Sequence, residues 1–286
     1  DFSAPARHAA ERAARLAHET GAALTLMHVL PNAPLLELRQ WLGKEHAVEQ
    51  HLNDDAKRQL RSLASELKTH RHVEVRTINA NGSVLDEISR EAQAAGAALL
   101  VLGARGAGFM RRLALGSTSE RLLRRTTRPL LVVRQTPREP YRRVLVAVDF
   151  SPWSAHAVAL ARLVAPHARL MLFSAFQVPF EEKLRFAGVD AATIDHYRRQ
   201  ARAEATQRLH ALAAASGLKP GAWEPCIVEG DASLRIVEHE QEMDCDLVVL
   251  GKHGQSAAEE LLLGSVSKHV LAEGTSDVLV STARQA

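Results

Sequence analysis

From residue 143 to 281, short apolar runs alternate with longer stretches in which apolar residues recur every three or four positions. Residues 143–148 form a β-branched run, the pattern of a strand buried on both faces. Ser151-Pro152 then marks a helix start, with serine as N-cap and proline in the first turn. Ala157, Leu160, Ala161 and Val164 fall on one face of a helix running to about Ala165. The same logic predicts strands at 170–176, 223–228, 247–250 and 277–281. It predicts helices at about 190–216, closed by Gly217, at 233–243 and at 265–273. Strands separated by helices imply a parallel sheet covered on both faces.

The preceding part of the chain repeats this pattern. Asp1-Phe2-Ser3 returns as Asp149-Phe150-Ser151, and Gly82, Gly103, Gly106 and Gly116-Ser117 return at Gly230, Gly251, Gly254 and Gly264-Ser265, each 148 positions later. Within 99–119, 10 of 21 residues are identical in the second copy, too many for chance. The register slips locally, since Leu24 matches Leu170 at an offset of 146. A period this long means two tandem domains rather than a solenoid. They are expected at 1–135 and 142–286, joined by a proline-bearing linker at 136–141. The first copy begins at the aspartate that should end its first strand, so that strand is expected upstream of residue 1. Residues 35–70 read as a long amphipathic helix with Leu52, Leu60, Leu63 and Leu67 on its apolar side, packing in the core or forming a dimer surface.

Composition narrows the function. The 286 residues are 46% hydrophobic, so the chain has material for a core, but only 4% aromatic, so aliphatic side chains must fill it. Two cysteines, Cys226 and Cys245, make no disulfide framework and fit a reducing compartment. No run approaches the roughly 18 apolar residues of a membrane span. The +3 net charge is spread along the chain, so no nucleic-acid partner is expected. The sequence has no P-loop and no GxSxG elbow, and no GxGxxG follows the first strand. His70 and His72 lack the further ligands of a metal site, and His239 with Cys226 and Cys245 is a weak zinc set. No catalytic residue or metal site is assigned.

The chemistry is expected in the loop after the fourth strand. It reads Gly103-Ala-Arg-Gly106, nine residues, then Gly116-Ser117; the second copy reads Gly251-Lys-His-Gly254, nine residues, then Gly264-Ser265. Glycine lets the backbone turn and a ligand approach without a Cβ in the way. The Gly-Ser pair opens a helix whose first amides lack carbonyl partners, which suits an anion. Ser117, Ser119, Ser265 and Ser267 add hydroxyls, and Asp1 or Asp149 ends the first strand at the crevice of an open sheet. Ordinary turn and cap chemistry accounts for the same residues: an Asx turn at Asp149 and N-caps at the serines.

The spacing G-x2-G-x9-G-[ST], after an apolar strand and with aspartate ending the first strand, resembles the nucleotide-binding branch of the universal stress proteins, in both halves. The resemblance implies an α/β fold of the adenine-nucleotide α-hydrolase type: two tandem, open-twisted, five-stranded parallel sheets of order 3-2-1-4-5. It implies a stress-linked, cytoplasmic regulatory protein binding ATP or another adenine nucleotide, with Mg2+ or Mn2+ on the phosphates, and dimer-like pairing of the two domains or a homodimer. In the second copy Asp149 would meet the ribose, Ala175 the adenine, and Gly251, His253, Gly254, Gly264, Ser265, Val266 and Ser267 the phosphates. The first-copy counterparts are Asp1, Val29, Gly103, Arg105, Gly106, Gly116, Ser117, Thr118 and Ser119. Arg105, Arg111 and Arg112 in the first loop, against Glu259 and Glu260 in the second, favour tighter binding by the first copy, since at an effective dielectric near ~20 a carboxylate several Å from a polyphosphate opposes it by about 1 kcal/mol. Two other classes compete with this reading. One is a scaffold protein whose loops bind nothing. The other is a slow ATP hydrolase or adenylyl or phosphoryl transferase, although the Ser-Gly-Gly run of the related pyrophosphatases is missing.

Overall fold

The computed structural model describes residues 1–32, 34, 46–104, 116–254 and 263–282. The chain divides into two units, Asp1–Arg138 and Glu139–Ala286.

The first unit contains α1 (Ala4–Thr20), β1 (Leu24–Pro31), α2 (His46–Arg71), β2 (Val75–Gly82), α3 (Val84–Ala94), β3 (Leu100–Gly103), α4 (Ser117–Arg125) and β4 (Leu130–Val133). The β1 strand pairs in parallel with β2, and β3 with β4. Among the described residues no strand pairs with both β1 and β3. Ala10, Ala14 and Ala17 of α1, Leu24 and Leu26 of β1, and Leu60, Leu63, Ala64 and Leu67 of α2 share one core. Leu52, expected on the same apolar side, is instead 40% exposed. It lies near the start of α2, beyond the part of the helix that packs on this core. Residues 35–45 of the expected long helix lie outside the described residues.

The second unit contains β5 (Arg143–Ala147), α5 (Pro152–Val164), β6 (Arg169–Phe176), α6 (Glu181–Phe186), α7 (Ala191–Ala215), β7 (Trp223–Glu229), α8 (Ala232–Glu242), β8 (Leu247–Gly251), α9 (Ser265–Glu273) and β9 (Asp277–Ser281). Its strands form a fully parallel five-stranded arrangement, β9-β8-β5-β6-β7. Counted within the unit this is the order 3-2-1-4-5. Val144, Leu145 and Val146 of β5 and Leu247 to Leu250 of β8 are buried, as the unbroken apolar runs demanded. Gly217, left-handed at φ 67, ends α7: its N–H and that of Leu218 bond back to Ala214 and Ala213. The short α6 was not foreseen; six residues hold too few periodic positions to announce a helix. At the opposite end of the sheet the buried Tyr141 hydroxyl donates to Asp277 at the head of β9, 2.7 Å away.

Candidate functional site

The parallel order places the carboxyl ends of β5, β6 and β8 side by side, and the chain leaves β5 through Asp149. The Oδ1 atom of Asp149 accepts from the Ser151 N–H and from the Ser154 hydroxyl, both at 3.0 Å. The first bond closes an Asx turn, the structural role that competes with ligand binding. Ser151 holds the N-cap position of α5, but its hydroxyl makes no capping bond and is buried without a partner. Ser154, inside the first turn of the helix, links Asp149 to it instead. Between Asp149 and Ser151, Phe150 adopts φ 62, a left-handed conformation that costs a non-glycine residue about 1–2 kcal/mol. The Arg208 guanidinium of α7 lies over its ring, 4.3 Å from the centroid.

From β8 the chain enters the glycine loop. A Cβ on Gly251 would meet the His253 carbonyl oxygen at 2.8 Å and Trp153 Cβ at 3.3 Å, so glycine is required by close backbone approach rather than by φ. The loop closes where the Gly264 N–H donates to the Lys252 carbonyl at 3.0 Å. The Ser267 hydroxyl donates to the Gly251 carbonyl at 2.8 Å. This bond pins the base of the loop. The first i to i−4 bond of α9 runs from Lys268 to Gly264, so the amides of Ser265, Val266 and Ser267 precede it at the positive end of the helix. Gly254 approaches Asp149: a Cβ there would fall 3.0 Å from Oδ2. His253 is buried, its ring 5.4 Å from that of Trp153.

These parts open onto one cleft of about 1080 Å³, as large as the bigger small-molecule pockets of proteins. Its lining includes every second-copy residue expected from the sequence: Asp149, Ala175, Gly251, His253, Gly254, Gly264, Ser265, Val266 and Ser267. Val148, Phe173, Ala175 and Ile236 give it an apolar side, and the α9 start with Asp149 gives it polar ends. Phe150, Trp153, Glu204 and Arg208 also line it, and sequence reasoning missed them. Phe150 had a signal, since it recurs with Phe2 inside Asp-Phe-Ser. Glu204 and Arg208, one turn apart on a polar helix, had none.

The first copy repeats the loop base. The Gly116 N–H donates to the Ala104 carbonyl at 2.8 Å, and the buried Ser119 hydroxyl to the Gly103 carbonyl at 3.1 Å. Ser117, Thr118 and Ser119 form the first turn of α4. Asp1 closes the same Asx turn with the Ser3 N–H at 3.1 Å, and Val29 pairs with Ala80 across β1 and β2. A Cβ on Gly103 would meet the Pro5 carbonyl oxygen at 2.6 Å. Phe2 is not left-handed; its ring stacks on His28, centroids 4.8 Å apart. Arg105, Gly106, Arg111, Arg112, Glu259 and Glu260, on which the expected charge asymmetry rests, lie outside the described residues.

Among the described residues no group of three or more His, Cys, Asp and Glu side chains is placed to hold a metal ion, and no helix is long and apolar enough to cross a membrane. His70 and His72 are exposed, and the His239 ring packs beside Phe173 with its Nδ1 on the Arg235 carbonyl.

The model of the universal stress protein family matches residues 1–134 and again 140–282. Universal stress protein YxiE of Bacillus subtilis is 32% identical over 140 residues, 47% of this chain and 94% of that protein. Universal stress protein Rv2005c of Mycobacterium tuberculosis is 31% identical over 199 residues, 68% of this chain but less than two thirds, 63%, of its relative. Among solved structures, a universal stress protein from Archaeoglobus fulgidus superposes with a TM-score of 0.68 at 18% identity, over 98% of this chain and 95% of that one. A functionally unknown protein from Pseudomonas aeruginosa gives 0.60 at 23%, over 93% and 85%. At these identities the structural likeness speaks for the fold alone.

Proposed function

The chain belongs to the universal stress protein family, and from that premise we propose that it is a stress-linked regulatory protein whose second half binds an adenine nucleotide, ATP foremost. The observation that carries this reading is the convergence on one cleft of the Asp149 carboxylate, the Gly251–Gly254 turn and the opening amides of α9. A polyphosphate fits the helix start by charge and by hydrogen bonding. A ribose hydroxyl fits a carboxylate that already accepts two hydrogen bonds on its other oxygen. The base fits the apolar side around Ala175 and Ile236. Mg2+ or Mn2+ would be held on the phosphate oxygens, where it supplies charge neutralisation; this chain's contribution is the amides of Ser265, Val266 and Ser267.

Calorimetric titration of the intact chain with ATP and Mg2+ tests the reading. Gly264→Val sets a branched side chain beside the amides of α9, at a position where a bare Cβ would make only ordinary contact, 3.4 Å from the Lys252 carbonyl oxygen. Loss of a binding phase in Gly264→Val supports the proposal; undiminished binding, or no binding by the parent chain, overturns it. The same titration of Gly116→Val reports on the first copy. If Arg105, Arg111 and Arg112 act as expected, that variant loses the tighter phase. A scaffold role is the reading left standing if neither variant changes anything.

A further inference from the structure

The two copies carry the same tripeptide and build the same Asx turn from it, yet the middle residue differs in conformation. Asp1 Oδ1 accepts from Ser3 as Asp149 Oδ1 accepts from Ser151. Phe2 keeps an ordinary φ and stacks on His28, whereas Phe150 sits at φ 62 beneath Arg208. In the second copy a side chain from the distant α7 lies against this residue. A strained residue persists only where its surroundings over-determine it, and such residues cluster at binding sites. Here the strained residue is bonded directly to Asp149, and both it and Arg208 line the cleft.

We propose that Arg208 is a positioning residue: by holding Phe150 left-handed it fixes the direction of the Asp149 carboxylate, and it thereby sets how strongly the second site prefers a ribonucleotide over its deoxy analogue. The inference rests on the reading that the cleft takes a nucleotide, and it deepens that reading. The guanidinium over the Phe150 ring adds a second hold on the Asp149-Phe150 segment beside the Ser154 hydroxyl bond. Without the brace the backbone relaxes toward an ordinary negative φ, and the carboxylate leaves the position where Gly254 approaches its Oδ2.

The test measures dissociation constants for ATP, 2′-deoxy-ATP and 3′-deoxy-ATP on the intact chain and on Arg208→Met. Expected is a loss of about fivefold to thirtyfold for ATP, the size of the strain no longer held, with the weaker deoxy analogue unchanged, so that the preference collapses. Asparagine tolerates the left-handed region, so Arg208→Met combined with Phe150→Asn should recover part of the preference. Should Arg208→Met fold poorly, Arg208→Lys serves in its place, because it keeps the charge but loses the planar stack. Equal weakening of all three nucleotides would show that Arg208 meets the ligand itself, and unchanged ATP binding would show that it does nothing; either overturns the proposal while leaving the nucleotide site intact. Failure of the parent chain to bind any of the three overturns the site and this inference together.

Discussion

Gly254→Ala isolates the ribose end of the cleft. A Cβ at this position falls 3.0 Å from Asp149 Oδ2, against an ordinary contact that begins near 3.4 Å, so the carboxylate must retreat by a few tenths of an ångström. It cannot do so freely. The two oxygens share a plane, and Oδ1 is held by the Ser151 amide and the Ser154 hydroxyl at 3.0 Å each. Turning the group weakens both bonds and misdirects Oδ2; partial loss of two such bonds is worth about 0.5–1.5 kcal/mol. In binding, that is roughly a twofold to tenfold weaker ATP complex. Fold stability should respond differently. The position is not left-handed, so alanine also narrows the unfolded ensemble, a gain of about 0.4–1 kcal/mol that offsets the clash. Affinity should fall while the melting temperature barely moves. Calorimetry and differential scanning fluorimetry read the two quantities. The double variant with Asp149→Ala completes a cycle in which Gly254→Ala adds no further loss, the oxygen it collides with being gone. Equal affinities of Gly254→Ala and the parent chain, or an undiminished loss in the Asp149→Ala background, would refute the placement of the carboxylate at the ligand.

Two further outcomes concern the frame that carries the site. Tyr141→Phe removes the donor 2.7 Å from Asp277 in a place where both residues are buried; urea unfolding should show a loss of about 1–3 kcal/mol with an unchanged m-value. Burial, reinforced by the nearby Glu240 charge, pushes the Cys245 thiol up to about 12. A folded-state value raised above the unfolded one means that the unfolded chain loses this proton first. Its contribution is therefore complete below the unfolded value near 9.0 and is lost as pH climbs toward about 12. Unfolding midpoints measured across that window should fall in the parent chain and fall less in Cys245→Ala; parallel slopes would reject the assignment.

The strand and helix pattern of the second copy was legible in the sequence because each element declares itself locally. A doubly buried strand must be apolar throughout, as Val144 to Val146 and Leu247 to Leu250 are, and Gly217 is chosen for a left-handed stop. The duplication was legible because identical residues recur at one offset. The loop glycines were legible as well, although their reason was not: Gly251 is forced by the backbone carbonyl of His253, and Gly254 leaves room for Asp149 Oδ2, contacts that a spacing pattern only marks. Ser267 shows the converse. As a sequence feature it reads equally as ligand donor or as structure, and only the folded chain reveals that its hydroxyl donates to the Gly251 carbonyl. Phe2 and Phe150 make the division plainest. The sequence by itself determined that each follows an aspartate in an Asx turn, because that turn closes within three residues. Whether the phenylalanine stacks on a histidine or lies left-handed beneath an arginine depended on which distant strand or helix arrives beside it, and side-chain packing across a sheet is a property of the assembled fold that no local stretch of chain encodes.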